Sequence, residues 1–136
     1  MITNEGSGWA KVSIGDFVGH ASYIIEETPL QFLKAVFQVV RFGEPFTVEC
    51  DEEGSEFLVT FTKWQTYIIH CTEGYQLYVF DTDIRELADE LLRDIDGKEK
   101  EWAVSFSVDG GDVEHLEQSL QKWCKYLRIA LEGDVL

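Results

Sequence analysis

Basic residues are scarce in this sequence. It has 11 Lys and Arg against 26 Asp and Glu, which gives a formal net charge of −15. Binding to nucleic acid depends on Lys and Arg side chains that displace counterions from phosphates. The composition therefore disfavours DNA, RNA and anionic membranes as direct partners, and it favours encounter with a basic partner or with cations. An acidic surface also keeps a small protein soluble, which is the alternative explanation of the charge.

Long apolar runs and leader segments are also missing. No uninterrupted apolar stretch approaches the ~18 residues of a membrane-spanning helix, and residues 1–6 have neither the basic nor the apolar part of a signal peptide. The three cysteines, Cys50, Cys71 and Cys124, are an odd number without a CxxC pair, and each has apolar neighbours. This pattern is typical of free thiols in a reducing compartment, so we expect a cytoplasmic protein.

The common catalytic and cofactor motifs are absent. There is no GxSxG, no HExxH and no phosphate-binding glycine loop. His70 adjoins Cys71, but neighbours on a strand point to opposite faces and would not meet. A calcium loop with Gly97 at its sixth position would need acids where Leu92 and Ala103 stand. We therefore predict no catalytic residue, no metal site and no cofactor.

Apolar side chains are present in the amount that a folded core needs. The hydrophobic fraction is 45% over 136 residues, which predicts one α+β domain over residues 1–136 with loose ends at 1–7 and 132–136. Periodicity and turn signals predict the order ββα-ββββ-α-β-α, with three helices and one mainly antiparallel sheet. The predicted strands are Trp9–Ile14, Phe17–Ile25, Phe46–Cys50, Glu56–Lys63, Gln65–Cys71, Tyr75–Phe80 and Trp102–Val108. The predicted helices are Thr28–Phe42, Asp83–Asp96 and Asp112–Leu131.

The first of these helices is apolar on nearly every side. Thr28 is the predicted N-cap, Pro29 stands at the first helical position, and Gly43 ends the helix. A helix with only a narrow polar stripe is typically buried. We expect it to be the core helix, packed on the sheet.

Acidic residues are concentrated in two clusters. Along the second helix, Asp83, Glu86, Glu90 and Asp94 recur at intervals of three, four and four residues, so they share one face, and Asp89 lies on the neighbouring stripe between Arg85 and Arg93. The second cluster surrounds a turn and contains Glu49, Asp51, Glu52, Glu53 and Glu56. A solvated helix face or capping by Asp83 would explain such residues without a partner. The residues that we predict to contact a partner are Asp83, Glu86, Asp89, Glu90, Asp94, Asp51, Glu52 and Glu53.

The stripe Glu86/Glu90/Asp94 and the patch Asp51/Glu52/Glu53, on a small acidic α+β domain, resemble the immunity proteins of contact-dependent inhibition and polymorphic toxin systems. The resemblance covers size, charge and architecture, and it includes no diagnostic motif. It implies a tight complex with a basic toxin domain, often a nuclease. Carboxylates would then occupy the site of the phosphates, and charge would steer association.

Two other functions remain open. Secretion chaperones are also small and acidic and bind an unfolded segment of a basic effector, but they usually begin with a helix and are dimers, whereas a monomer is favoured here. A small ligand-binding domain or enzyme would need a closed pocket that contains titratable groups with perturbed pKa values.

Overall fold

The structure, a computed structural model, describes residues 1–22, 27–107 and 112–133. Within them the chain forms seven strands and four helices. The strands are β1 (Ile2–Gly6), β2 (Trp9–Ile14), β3 (Phe17–Ser22), β4 (Phe46–Asp51), β5 (Glu56–Phe61), β6 (Gln65–Cys71) and β7 (Tyr75–Asp81), and the helices are α1 (Thr28–Phe42), α2 (Ile84–Ile95), α3 (Glu99–Phe106) and α4 (Val113–Glu132). No helix in these ranges is long and apolar enough to cross a membrane.

The strands form two antiparallel sheets. The first sheet has the order β1-β2-β3 and the second the order β4-β5-β6-β7, so each is a meander of sequential neighbours. The protein is thus α+β, but the predictions of one sheet and three helices are wrong. Short turns correctly indicate which strands pair, whereas they do not indicate how many sheets the pairs form.

Residues 99–106 form the additional helix, where the sequence analysis predicts the strand Trp102–Val108. Trp102, Ala103 and Phe106 are buried while Val104 is 57% exposed, which is a helical and not an alternating pattern. In so short a segment both periods fit the apolar residues, and packing of α3 against α4 and β1 decides between them. The final residue of the predicted strand, Val108, lies outside the described ranges.

The additional strand, β1, lies where the sequence analysis places a loose end. Ile2 pairs with Val12 and Thr3 with Lys11, and only Ile2 contributes a buried apolar side chain to the strand. The apolar pattern of this segment is too weak to predict a strand, because pairing with β2 and not the local sequence makes it one. The second predicted strand is observed as far as Ser22, and its residues 23–25 lie outside the described part of the chain.

Helix α1 is the core helix, as predicted. It contacts α2 and α4 on one side and β4 and β5 on the other, and the ring of Phe32 lies edge-on to that of Phe61 with centroids 5.7 Å apart. Its N-cap is Glu27 and not Thr28, which is buried as the first helical residue, and Gly43 closes the helix with φ 71°.

The two sheets contact each other through Phe17 of β3. Its ring centroid lies 5.2 Å from that of Phe57 and 5.1 Å from that of Tyr78. Gly19 makes room for this contact, since a Cβ atom at that position would lie 2.7 Å from the Phe57 ring. This packing places the turn between β2 and β3 beside the end of β7.

Candidate functional site

Helix α2 positions the first acidic cluster. Its buried residues are Ile84, Leu87, Ala88, Leu91, Leu92 and Ile95, which recur at helical spacing and attach one face of the helix to the core. Its remaining residues are polar and largely exposed. The burial of one face therefore directs the carboxylates of Glu86, Asp89 and Glu90 away from the core.

These carboxylates line an open cleft of about 690 Å³ between α2, the end of β7 and the β2–β3 turn. The acidic residues that line it are Asp81, Asp83, Glu86, Asp89 and Glu90. Ile14, Phe80 and Leu87 contribute apolar surface, and Arg93 is the single Lys or Arg among the lining residues described. A dense set of carboxylates around partly apolar walls suits the side chains of Lys or Arg, which have an apolar stem and a charged end.

Two of the predicted contact residues in α2 also have structural roles. Asp83 is the N-cap of the helix, where its Oδ1 accepts a hydrogen bond from the Arg85 amide at 2.9 Å. Asp94 lies outside the cleft, and its Oδ2 accepts from the Ile2 amide and pairs with the Met1 amine, both at 2.9 Å. Asp94 thus holds β1 against α2, and the cleft retains Glu86, Asp89 and Glu90 as its exposed helical acids.

Within the second acidic cluster, Glu52 is the residue with the most internal contacts. One carboxylate oxygen, Oε1, lies 2.7 Å from Nε2 of His70 and accepts from the Ser55 hydroxyl at 2.8 Å, while Oε2 accepts from the His20 amide at 3.2 Å. Burial raises the pKa of Glu52, but the hydrogen bonds from Ser55, His70 and His20 outweigh it and hold the pKa below its ordinary value. The Glu52 side chain is only 13% exposed. Its hydrogen bonds to His20 of β3 and His70 of β6 join the two sheets.

The other two predicted residues of this cluster differ in exposure. Asp51 is half-buried and its Oδ1 accepts from the Glu53 amide at 2.7 Å, which shapes the turn. Glu53 is exposed. Of the three predicted contact residues in this cluster, Glu53 is therefore the one that is exposed to solvent.

The two clusters lie at opposite ends of the second sheet. His70, which contacts Glu52, pairs with Gln76 near the start of β7, whereas Asp81 of the cleft ends that strand. At ~3.3 Å per residue, the five residue steps from Gln76 to Asp81 separate them by roughly 16 Å along the strand. One small ligand or one side chain of a partner cannot contact both.

Two features of this region are absent from the predictions made from the sequence. Asp81 is not among the predicted contact residues, but it is an exposed member of the cleft. The exposed aromatic residues are also not predicted. Tyr75 and Trp64 are 85% and 66% exposed, and the alternation of β7 contains the signal, since each of its odd-numbered residues, 75 to 81, is exposed.

The outer face of the second sheet is an exposed apolar surface. The cross-strand pairs Ile69–Leu77 and Tyr67–Val79 lie side by side on it, and each of these side chains is at least 37% exposed. Strands β4 to β7 contain no Lys or Arg, and their acids are Glu49, Asp51, Glu56 and Asp81. A contiguous apolar surface with a charged rim is the usual anatomy of a protein interface.

The cysteines are free thiols in different surroundings. Cys50 and Cys124 are buried and Cys71 is half-buried. Burial, with Glu99 and Asp96 nearby, raises the pKa of Cys124 to about 12, and burial together with Glu52 raises that of Cys50. Both thiols are therefore protonated and poor nucleophiles at neutral pH.

Cys124 also belongs to a group of possible metal ligands. Its sulfur and carboxylate oxygens of Asp96 and Glu99 lie within 4.8 Å of one another. Arg128 pairs with Asp96 at 2.5 Å, so this group already contains a cation. We assign it no function.

Comparison with known proteins identifies no relative: no family model, no curated sequence and no solved structure matches the chain.

Proposed function

We propose that this protein is a binding module for a basic protein, and that it acts as an immunity protein that neutralises a basic toxin domain by occluding its active site. The observation that carries the proposal is the cleft beside α2, where five carboxylates surround apolar walls with one Arg. Active sites that bind phosphates are rich in Lys and Arg, and a surface of carboxylates can occupy them in place of the substrate.

Net charge supports the same partner. At −15, the protein attracts a basic domain over distances of a Debye length and increases the rate of encounter. Specific binding then needs a defined local arrangement, and the cleft supplies one because α2 holds Glu86, Asp89 and Glu90 at fixed positions. Of the eight predicted contact residues, Asp83, Glu86, Asp89 and Glu90 line the cleft.

A charge reversal in the cleft tests the proposal. The variant Glu86→Lys/Glu90→Lys and the control Glu101→Lys/Glu132→Lys change the net charge equally, and all four residues are exposed. Wild-type protein and both variants are used to capture partners from a lysate of the source cells at low and at moderate salt. We expect the wild-type protein and the control to retain one basic protein and the cleft variant to lose it.

The captured protein then gives a second measurement. Its enzymatic activity should disappear when equimolar wild-type protein is added, and association with the cleft variant should be slower by about tenfold or more at physiological salt. Equal loss of binding by both variants would show that overall charge, and not the cleft, holds the partner. A partner that binds only when unfolded would instead support the chaperone function, and capture of no basic protein would refute the proposal.

A further inference from the structure

Strand β7 has a free edge that lacks the usual protection against strand pairing. Its seven residues pair with β6 in continuous register, without a bulge, and contain neither Lys nor Pro. Among the described residues no strand pairs with its other side. Natural proteins usually protect such edges, since an open edge pairs with other chains.

The other outer strands of the two sheets are protected. The register of β1 is interrupted between Asn4 and Gly6, and the Ile2 amide bonds to Asp94. The His20 amide of β3 donates to Glu52, and β4 lies against β3 and α1. Of the outer strands, β7 is therefore the one with the fewest features that restrict access to its edge.

The hydrogen-bond pattern shows which backbone groups of β7 are available. The Thr82 amide donates to the Trp64 carbonyl at 3.0 Å, directly beyond the pair Gln65–Asp81. In an antiparallel ladder every second pair exchanges hydrogen bonds, so the backbone amides and carbonyls of the even-numbered residues of β7 point towards β6. The amides and carbonyls of Tyr75, Leu77, Val79 and Asp81 face the open side.

The two faces beside this edge differ in chemistry. Leu77 and Val79 are 63% and 51% exposed on the outer face. Phe80 on the inner face and Asp81 at the end of the strand line the acidic cleft together with Gly15 of the β2–β3 turn. A strand added to β7 would place alternate side chains against apolar surface on one face and near carboxylates on the other.

We propose that β7 binds an extended segment of the partner as an additional antiparallel or parallel strand, and that this segment alternates apolar and basic residues. Its apolar side chains extend the surface of Leu77 and Val79, and its basic side chains enter the cleft. Charge favours this partner over a second copy of the chain, since two copies would each carry −15. The inference rests on the proposed function, and it adds main-chain hydrogen bonding to the contacts made by charge.

Two peptides of equal composition test the inference. One alternates valine and lysine and is long enough to pair with the seven residues of β7; in its isomer all valines precede all lysines. Both are titrated at low salt while the backbone amide signals of the protein are followed by NMR. We expect the alternating peptide to bind about tenfold more tightly, since only it can separate apolar and basic side chains between the faces, and to shift the amides of Leu77 and Val79.

Variants of Leu77 distinguish the contribution of the strand edge to peptide binding from that of the apolar face. Leu77→Pro removes an amide that points to the open side and keeps the ladder with β6, whereas Leu77→Thr keeps the amide. We expect about a tenfold loss of affinity for the alternating peptide with Leu77→Pro and a smaller loss with Leu77→Thr. If Leu77→Pro does not fold, the wild-type protein is titrated with alternating peptides that are N-methylated on either their odd or their even residues. Only one of these two sets of amides would donate hydrogen bonds to β7, so methylation of that set should abolish binding.

The outcomes separate this inference from the proposed function. Strand addition is overturned if both isomers bind with equal affinity, or if affinity is unchanged after Leu77→Pro or after both methylations. Partner capture by the cleft is tested separately, by Glu86→Lys/Glu90→Lys. Dimers in sedimentation that dissociate with Leu77→Pro would assign the edge to a second copy and overturn the inference as well.

Discussion

At the scale of single residues, the role of a carboxylate depends on its hydrogen-bond partners. Glu52 and Glu53 are adjacent and chemically identical, but Glu52 contacts Ser55, His70 and the His20 amide, whereas Glu53 is exposed. A carboxylate that accepts several hydrogen bonds stabilises the folded protein in its charged form. Glu52 therefore contributes to stability, and Glu53 remains available to solvent or to a partner.

Replacement of Glu52 should show this difference. We expect Glu52→Gln to lower the free energy of unfolding by about 1–2 kcal/mol at neutral pH, since it loses hydrogen bonds to a charged acceptor. The control Glu53→Gln should change it by less than about 0.5 kcal/mol. Urea unfolding of both variants and the wild type provides the measurement.

The effect of Glu52 should also depend on pH. The pKa of Glu52 is lower in the folded protein than its ordinary value of 4.5, so its contribution is complete above that value and is lost as pH falls through the folded pKa. The difference between the wild type and Glu52→Gln should thus shrink in acid. A difference that is constant from neutral pH to well below 4.5 would contradict a role of the charged carboxylate.

At the scale of elements, close packing of β3 on the second sheet positions the cleft. Gly19 has no side chain at the point where Phe17 and Phe57 approach, and a Cβ atom there would lie 2.7 Å from one ring and 2.9 Å from the other. Such distances force the rings or the strands to move. Because the β2–β3 turn forms one wall of the cleft, a shift of β3 also changes the cleft.

Gly19→Ala should therefore destabilise the protein by about 1–3 kcal/mol in urea unfolding. Gly74→Ala is the matched control, since no atom lies within 4 Å of a Cβ at Gly74, and it should change stability by less than about 0.5 kcal/mol. If the two variants are equally stable, β3 does not pack as closely on Phe57 as the structure shows.

At the scale of the whole molecule, the charge of −15 acts against the compact state. Glu86 and Glu90 lie one helical turn apart and repel each other, and like charges at this spacing cost a few tenths of a kcal/mol. Unlike Asp94 and Glu52, neither Glu86 nor Glu90 has a hydrogen-bond or ion-pair partner among the residues that the structure describes. Surface residues that oppose stability in this way are typical of a binding surface.

Glu86→Lys/Glu90→Lys changes the net charge from −15 to −11, because each substitution adds two positive charges. We expect its thermal midpoint at low salt to equal or exceed that of the wild type, and the rise in midpoint with added salt to be smaller. A variant that is less stable by more than about 1 kcal/mol would show that these carboxylates make structural contacts. Its loss of partner binding would then have a structural cause.

The sequence by itself determines the local elements that have a strong pattern. Helices α1, α2 and α4 are predicted within one or two residues of their observed bounds, and the six strands β2 to β7 are all predicted as strands. In each of these segments the apolar residues repeat over enough turns or alternations to distinguish the two periods. The sequence also determines the sign and the density of charge along α2.

Only the tertiary structure decides the rest, because the deciding contacts join residues that are distant in the chain. Packing makes a helix of Glu99–Phe106 and a strand of Ile2–Gly6, and separates the strands into two sheets. Asp94 bonds to a residue 92 positions away, and Glu52 to residues 18 and 32 positions away. Spacing along the chain shows that carboxylates share a face, but only the fold determines which of them are left free to bind.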